Sequence, residues 1–323
     1  MLVIVVLWVV ARTAADALIP APGARAGNAA AVLGGRIYAV GGAGPGAGSE
    51  GRVESLDPIT GTWRDEASLQ QGRTFHGAAA AGGLLYALGG TDGGSSEERV
   101  DHLRSMEVLD PETGLWTPAS PAPHGINRLT AVSDGTTIYT VGGMAEGPEL
   151  QPRPIDVATV LVFDTESNTW DSLPPMPQPR HGTTAVILDE VLYVMGGYGV
   201  VPGQFSGPLA SVDAYDLNQR TWSKKTPLLV PRGFAGSAVV NGRIYLFGGR
   251  TTTRPITEVY DPRTDSWTAA ARIPRWRNRF AYAQFDGSIY VIGGEANFGV
   301  GYGRKVLVYD VAEDRWSGLR RRR

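Results

Sequence analysis

Arginine is the residue type in this chain that recurs most suggestively for chemistry. Arg25, Arg73, Arg180, Arg232 and Arg277 each stand sixteen residues before a Gly-Gly pair, and Ile126 takes the same position before a sixth pair. Arg128 and Arg279 follow two residues after Ile126 and Arg277. A guanidinium presents a planar fork of N–H donors that suits carboxylates and phosphates. The same fork can instead bond backbone carbonyls of a neighbouring repeat, so both uses stay open. Aromatic residues gather near these positions: Trp276 precedes Arg277, and Tyr198, Phe205, Phe298 and Tyr302 lie in the segments after Gly pairs. They are candidates for a platform under a sugar or peptide, with local packing of the loops as the alternative. His181 and Glu295 are the acid–base candidates near the same positions. His76, His102, His124 and His181 show no metal-ligand spacing, and the chain has no Cys. No metal site and no cofactor are therefore expected, and no nucleophile, base and orienting group can be assembled from motif spacing. The run Gly42-Ala43-Gly44-Pro45-Gly46-Ala47 fits a loose dinucleotide fingerprint. That motif needs a helix after the strand; a strand follows here, and the reading is rejected.

The elements that position these residues follow from an internal repeat. Gly-Gly pairs begin at Gly41, Gly89, Gly142, Gly196, Gly248 and Gly293, each with a Tyr three residues earlier. A Trp follows every pair, and an Asp lies six residues before each Trp, from Asp57 and Trp63 to Asp310 and Trp316. The interval from a Trp to the next Gly pair is 26 residues in all five cases, whereas that from Gly pair to Trp ranges from 19 to 28. One loop per unit varies in length. A fixed period of this size decides the architecture before any single residue does.

Each unit reads as four strands. The first is small-residue rich, as in Asn28-Ala29-Ala30-Ala31 and Gly77 to Ala81, which suits crowding near a central axis. Turn dipeptides such as Gly34-Gly35, Asn241-Gly242 and Asp286-Gly287 then close a hairpin. The second strand ends in Tyr-x-x-Gly-Gly. The third alternates, as in Val160-Leu161-Val162-Phe163, and runs into an Asp that accepts turn N–H groups, often with Pro after it. The Trp sits on the fourth strand as core between units. Four antiparallel strands in six units make an all-β, six-bladed β-propeller.

This pattern of Gly-Gly, preceding Tyr, and Asp with Trp six residues on resembles the kelch repeat, from about Arg25 to Leu319. Leu56, Leu109 and Phe163 replace the Tyr expected before Asp, and Ile126 replaces the opening Arg. In the kelch adaptor proteins similar arginines hold acidic peptide motifs, and an Asn-Arg pairing like Asn127-Arg128 and Asn278-Arg279 also occurs. The resemblance therefore implies binding of an acidic peptide or glycan at the loop-rich mouth of the central channel. The residues expected there are Arg25, Arg73, Arg128, Arg180, Arg232, Arg277, Arg279, Trp276, Tyr198, Glu295 and His181. The family's copper radical galactose oxidases use a Tyr crosslinked to Cys, which this Cys-free chain cannot form. A sialic-acid-type sugar mutarotase, exported and free of cofactor, is the enzymatic alternative to the binding module.

The rest of the composition sets boundaries. A net charge of −2 and a pI near 6.1 argue against general nucleic-acid binding. With 42% apolar residues the chain can bury a large core, and the repeat count overrides a two-domain reading of its 323 residues. Residues 1–20 are a separate segment: Leu2 to Ala11 is apolar without a break and Ala15-Asp16-Ala17 fits a cleavage site. The segment reads as a signal peptide lacking its basic start, with an extra strand as the alternative. Export would place the protein outside the cytoplasm, and the reading leans that way. Residues 21–319 form the propeller, expected as a monomer, and Arg320 to Arg323 a solvated basic tail.

Overall fold

The computed structural model of the chain describes residues 19–46, 48–93, 102–147, 154–201, 204–253, 255–296 and 303–319. The apolar N-terminal run with Trp8, the basic tail, Phe298, Tyr302 and the side chain of Phe205 lie outside the described residues.

Six four-stranded antiparallel sheets form the blades, each with its strands in chain order. The innermost strands are Ala29–Leu33, Gly77–Ala81, Thr130–Ser133, Thr184–Leu188, Gly236–Val240 and Ala281–Phe285. The outermost are Thr62–Glu66, Leu115–Ala119, Thr169–Leu173, Thr221–Lys225, Ser266–Ala270 and Arg315–Gly318. Small residues are needed at the axis because neighbouring first strands approach closely: a Cβ added to Gly77 would lie 2.6 Å from Ala131 Cβ. Five of the six inner hairpins turn through left-handed pairs, such as Asn241 at φ 51° with Gly242 at 70°, and in one blade the non-glycine pair Asp189 and Glu190 at 50° and 58°. Outer turns rest on the repeat Asp. Asp164 Oδ1 accepts the N–H groups of Glu166 and Ser167, both at 2.9 Å, and these bonds lower its pKa.

The core lies between blades. Tyr193 of the fourth blade meets Tyr260 of the fifth edge-on, 5.8 Å apart, and Trp267 lies against that ring at 4.9 Å. Trp116, Trp267 and Trp316 are buried, and the other three repeat Trp residues are half-buried. The indole N–H of Trp116, Trp170, Trp222, Trp267 and Trp316 each donates to a carbonyl in the connection from the preceding blade, at 2.8–3.1 Å. In blades two to six the repeat Trp thus fastens each blade to the one before it. The ring closes where Ile19 N–H donates to Leu319 carbonyl (2.8 Å) and Ala21 N–H to Arg304 carbonyl (2.7 Å).

Candidate ligand-binding mouth

The opening arginines point into the blades. Arg25, Arg73, Arg180, Arg232 and Arg277 are at most 4% exposed, and Ile126, at 1%, fills the same place in the third blade. Arg25 pairs with Glu54 at 2.5 Å, Arg73 with Glu107 at 2.7 Å, Arg180 with Asp213 at 2.5 Å, and Arg232 with Glu258. The other guanidinium nitrogen of Arg73 donates to the carbonyls of Gly89 and Ser105, both at 3.0 Å. Each acid is on the third strand, opposite the residue two before the Gly pair. Burial lowers the pKa of Arg232 and raises that of Glu258, the signs expected for charges withdrawn from water. The expectation that these five line the mouth is corrected by their burial: they point into their own blades, and four of them are paired there with an acid.

Two residues further on, all six blades turn left-handed. Gly27, Phe75, Arg128, Gly182, Phe234 and Arg279 have φ between 52° and 68°. This turn sends the backbone around the axis. Phe75 N–H donates to Gly27 carbonyl, Arg128 to Phe75, Gly182 to Arg128, Phe234 to Gly182 and Gly27 to Arg279, at 2.6–2.9 Å. Read around the ring, the side chains repeat as Gly, Phe, Arg and again Gly, Phe, Arg, a pseudo-twofold pattern. Each Phe leans over the preceding glycine; a Cβ on Gly182 would meet the Phe234 ring at 2.7 Å. Phe75 and Phe234 reach each other across the axis, with centroids 6.4 Å apart. Arg279 lies over both rings, at 5.0 and 5.1 Å, and Arg128 over Phe75 at 5.5 Å. Together they cap the channel.

An outer tier surrounds the cap. The residue after each Gly pair bridges to the residue after each opening position, as in His181 with Tyr198, Gly233 with Arg250 and Asn278 with Glu295. His181 stacks on Tyr198 at 5.6 Å, and its Nδ1 lies 2.6 Å from Asp156. Arg250 lies 6.0 Å over Tyr198, and Arg279 pairs with Glu295 at 3.0 Å. Arg128, His181, Tyr198, Phe234, Arg250 and Arg279 line a shallow depression of about 70 Å³. Below the cap is a chamber of about 110 Å³, which Asn28, His76 and Phe280 help to line. Its floor includes Tyr282, whose hydroxyl lies 2.9 Å from Thr184 Oγ1. His76 is fully enclosed, and burial, with Arg73 and Arg25 nearby, holds its pKa well below the ordinary value.

Of the expected site residues, the structure brings Arg128, Arg279, Tyr198 and His181 together, with Glu295 alongside as the partner of Arg279. Trp276 is half-buried beside Arg277 and does not line the depression. Phe75, Phe234 and Arg250 were missed. Their signal was present: the two Phe residues share the repeat position of Arg128 and Arg279, and Arg250 shares that of Tyr198 and Glu295. Among the described residues no group of three or more His, Asp or Glu could hold a metal ion.

Comparison with known sequences decides the family. The profile of the KLHDC2/KLHL20/DRC7 Kelch-repeats domain matches residues 128–322, and the Kelch motif matches residues 24–70 and 72–123. The chain belongs to the kelch-repeat family. This kelch propeller is 37% identical over 163 residues to an F-box/kelch-repeat protein of Arabidopsis thaliana, covering 49% of this chain and 43% of that one. It is 28% identical over 282 residues to kelch-like protein terF of Aspergillus terreus (83% and 60%), and 28% identical over 237 residues to kelch-like protein 40 of Xenopus tropicalis (70% and 37%). The match thus spans between 37% and 60% of these relatives' lengths. The solved structure titled "Structure of YjhT" superposes with a TM-score of 0.72 at 18% identity, covering 94% of this chain and 99% of that one. That likeness is one of fold. Kelch propellers typically serve as protein-interaction modules.

Proposed function

We propose that this kelch propeller binds an acidic peptide segment of a partner protein at the channel mouth. The observation that carries the reading is the convergence of Arg128, Arg250 and Arg279 on one depression floored by Phe234 and walled by Tyr198. Two of the lining residues are paired with carboxylates, Arg279 with Glu295 and His181 with Asp156. Clustered guanidinium groups in a concavity raise the local concentration of anions and steer them inward. The aromatic rings offer stacking surface to the segment's apolar parts. Exposed Ile155 and Val200, in the hairpins Met144–Ala145/Ile155–Asp156 and Tyr198–Val201/Gln204–Pro208 that rise on this face, extend the apolar area.

The enzymatic alternative gains no support. His181 and Glu295, its acid–base candidates, are each held in a pair, with Asp156 and Arg279. A combined peptide and glycan array tests the reading: acidic peptides should be retained, and Glu→Gln versions of the same peptides should be lost. Retention of glycans with no preference for acidic peptides would refute it.

A further inference from the structure

The internal repeat offers its own control for the buried arginines. In blades one, two, four and five an opening Arg faces Glu54, Glu107, Asp213 or Glu258. In blade three both members are apolar: Ile126 stands at the opening position and Leu161 at the acid position, opposite Thr140. Blade six keeps only half of the pair. Arg277 is 4% exposed, and the acid position, opposite Val291, is Leu307. The one hydrogen bond Arg277 makes among the described residues is to Gly293 carbonyl at 2.8 Å. A second cation, Arg275, lies near it. Arg275 is exposed and repels it, Gly303 packs so closely that an added Cβ would lie 2.2 Å from its Nη1, and exposed Arg304 and Lys305 follow Gly303. A buried charge without its counter-ion costs several kcal/mol, so a ligand that supplies a carboxylate would be stabilised here more than on an open surface.

We propose that the corner of blade six around Arg277, with Arg275 beside it, is a second anion-binding site, which takes a carboxylate from outside the chain. The group is the one that four other blades supply internally. Burial, with Arg275 adding to it, pulls the Arg277 pKa down to about 10. The carboxylate belongs either to a small organic acid or to an acidic side chain of a partner. This site is separate from the mouth and does not depend on it.

The test is the thermal midpoint of the whole chain as acetate replaces chloride at constant ionic strength, with acetyl-Gly-Glu-Gly-amide as a second titrant. The wild-type midpoint should rise saturably, because a ligand that binds only the folded state stabilises it. Arg277→Ile, which reproduces the Ile126/Leu161 arrangement of blade three, should fold and lose the rise. Leu307→Glu, which restores the Arg–Glu pair found in blades one, two and five, should unfold at a higher temperature in chloride and also lose the rise. Arg64→Ile, an exposed charge-matched control, and Arg128→Ala with Arg250→Ala, which touch only the mouth, should keep it. A rise with acetate assigns a free acid, and a rise with the peptide alone assigns a partner's side chain. No response to either titrant, or a response undiminished in Arg277→Ile, overturns the proposal.

Discussion

Arg232 and Arg250 illustrate how one residue type serves two purposes eighteen positions apart. Arg232 is 1% exposed and paired with Glu258, while Arg250 is exposed above the Tyr198 ring. Truncating one partner of a buried pair strands the other charge, so Arg232→Ala should cost about 3–5 kcal/mol of stability by denaturant unfolding. Arg232→Ile with Glu258→Leu, built on the Ile126/Leu161 precedent, should stay within about 1 kcal/mol of wild type. If the double variant were as damaged as the single one, the pair would matter for more than charge compensation. His76 sets a pH dependence. It stays neutral in the fold, whereas in the unfolded chain it takes up a proton as pH falls through about 6.5. Its contribution is therefore whole above that pH and is lost as pH falls toward the depressed folded value. His76→Leu, which copies Leu129 at the same position of the next blade, should flatten the decline of the unfolding midpoint between about pH 7.5 and pH 5. An unchanged slope would mean that His76 is protonated in the fold.

At the scale of strands and turns, most of the molecule was legible. The Asp, Trp and Gly pair are local devices whose reasons lie within one unit: an N–H acceptor in a turn, a large ring with one donor, a left-handed backbone. Trp116→Ala should lower stability by roughly 3–5 kcal/mol, since the ring is 5% exposed and its N–H is bound across the blade boundary at 2.8 Å. A loss no greater than that of a surface change would contradict its fastening role. The mouth was less legible, because direction is not written in spacing. Five arginines at one repeat position look alike whether they aim at a ligand or into a blade, and what marks four of them as blade residues is the acid on the third strand. That acid, Glu54, Glu107, Asp213 or Glu258, sits 26–34 residues away in sequence and is brought opposite by strand pairing alone. The coincidence of Ile126 with Leu161 was the sequence clue to the pairing. Phe75 and Phe234 were hidden by type, since a Phe beside an arginine reads as core until the ring geometry brings both across the axis.

For the whole molecule, the six blades act as a closed ring in which inward-turned backbone makes the mouth rigid. Ring and mouth draw on different arginines, and that division is the central claim. It is tested most directly by the affinity of one acidic array peptide, measured by fluorescence anisotropy, for three forms of the folded propeller. Wild type and Arg232→Ile/Glu258→Leu should bind equally. Arg128→Ala/Arg250→Ala should bind at least about tenfold more weakly, given roughly 1.5–3 kcal/mol for each hydrogen bond to a charged group. Equal binding by the mouth variant, or loss of binding by the folded pair-swapped variant, would contradict the assignment of ligand recognition to Arg128, Arg250 and Arg279.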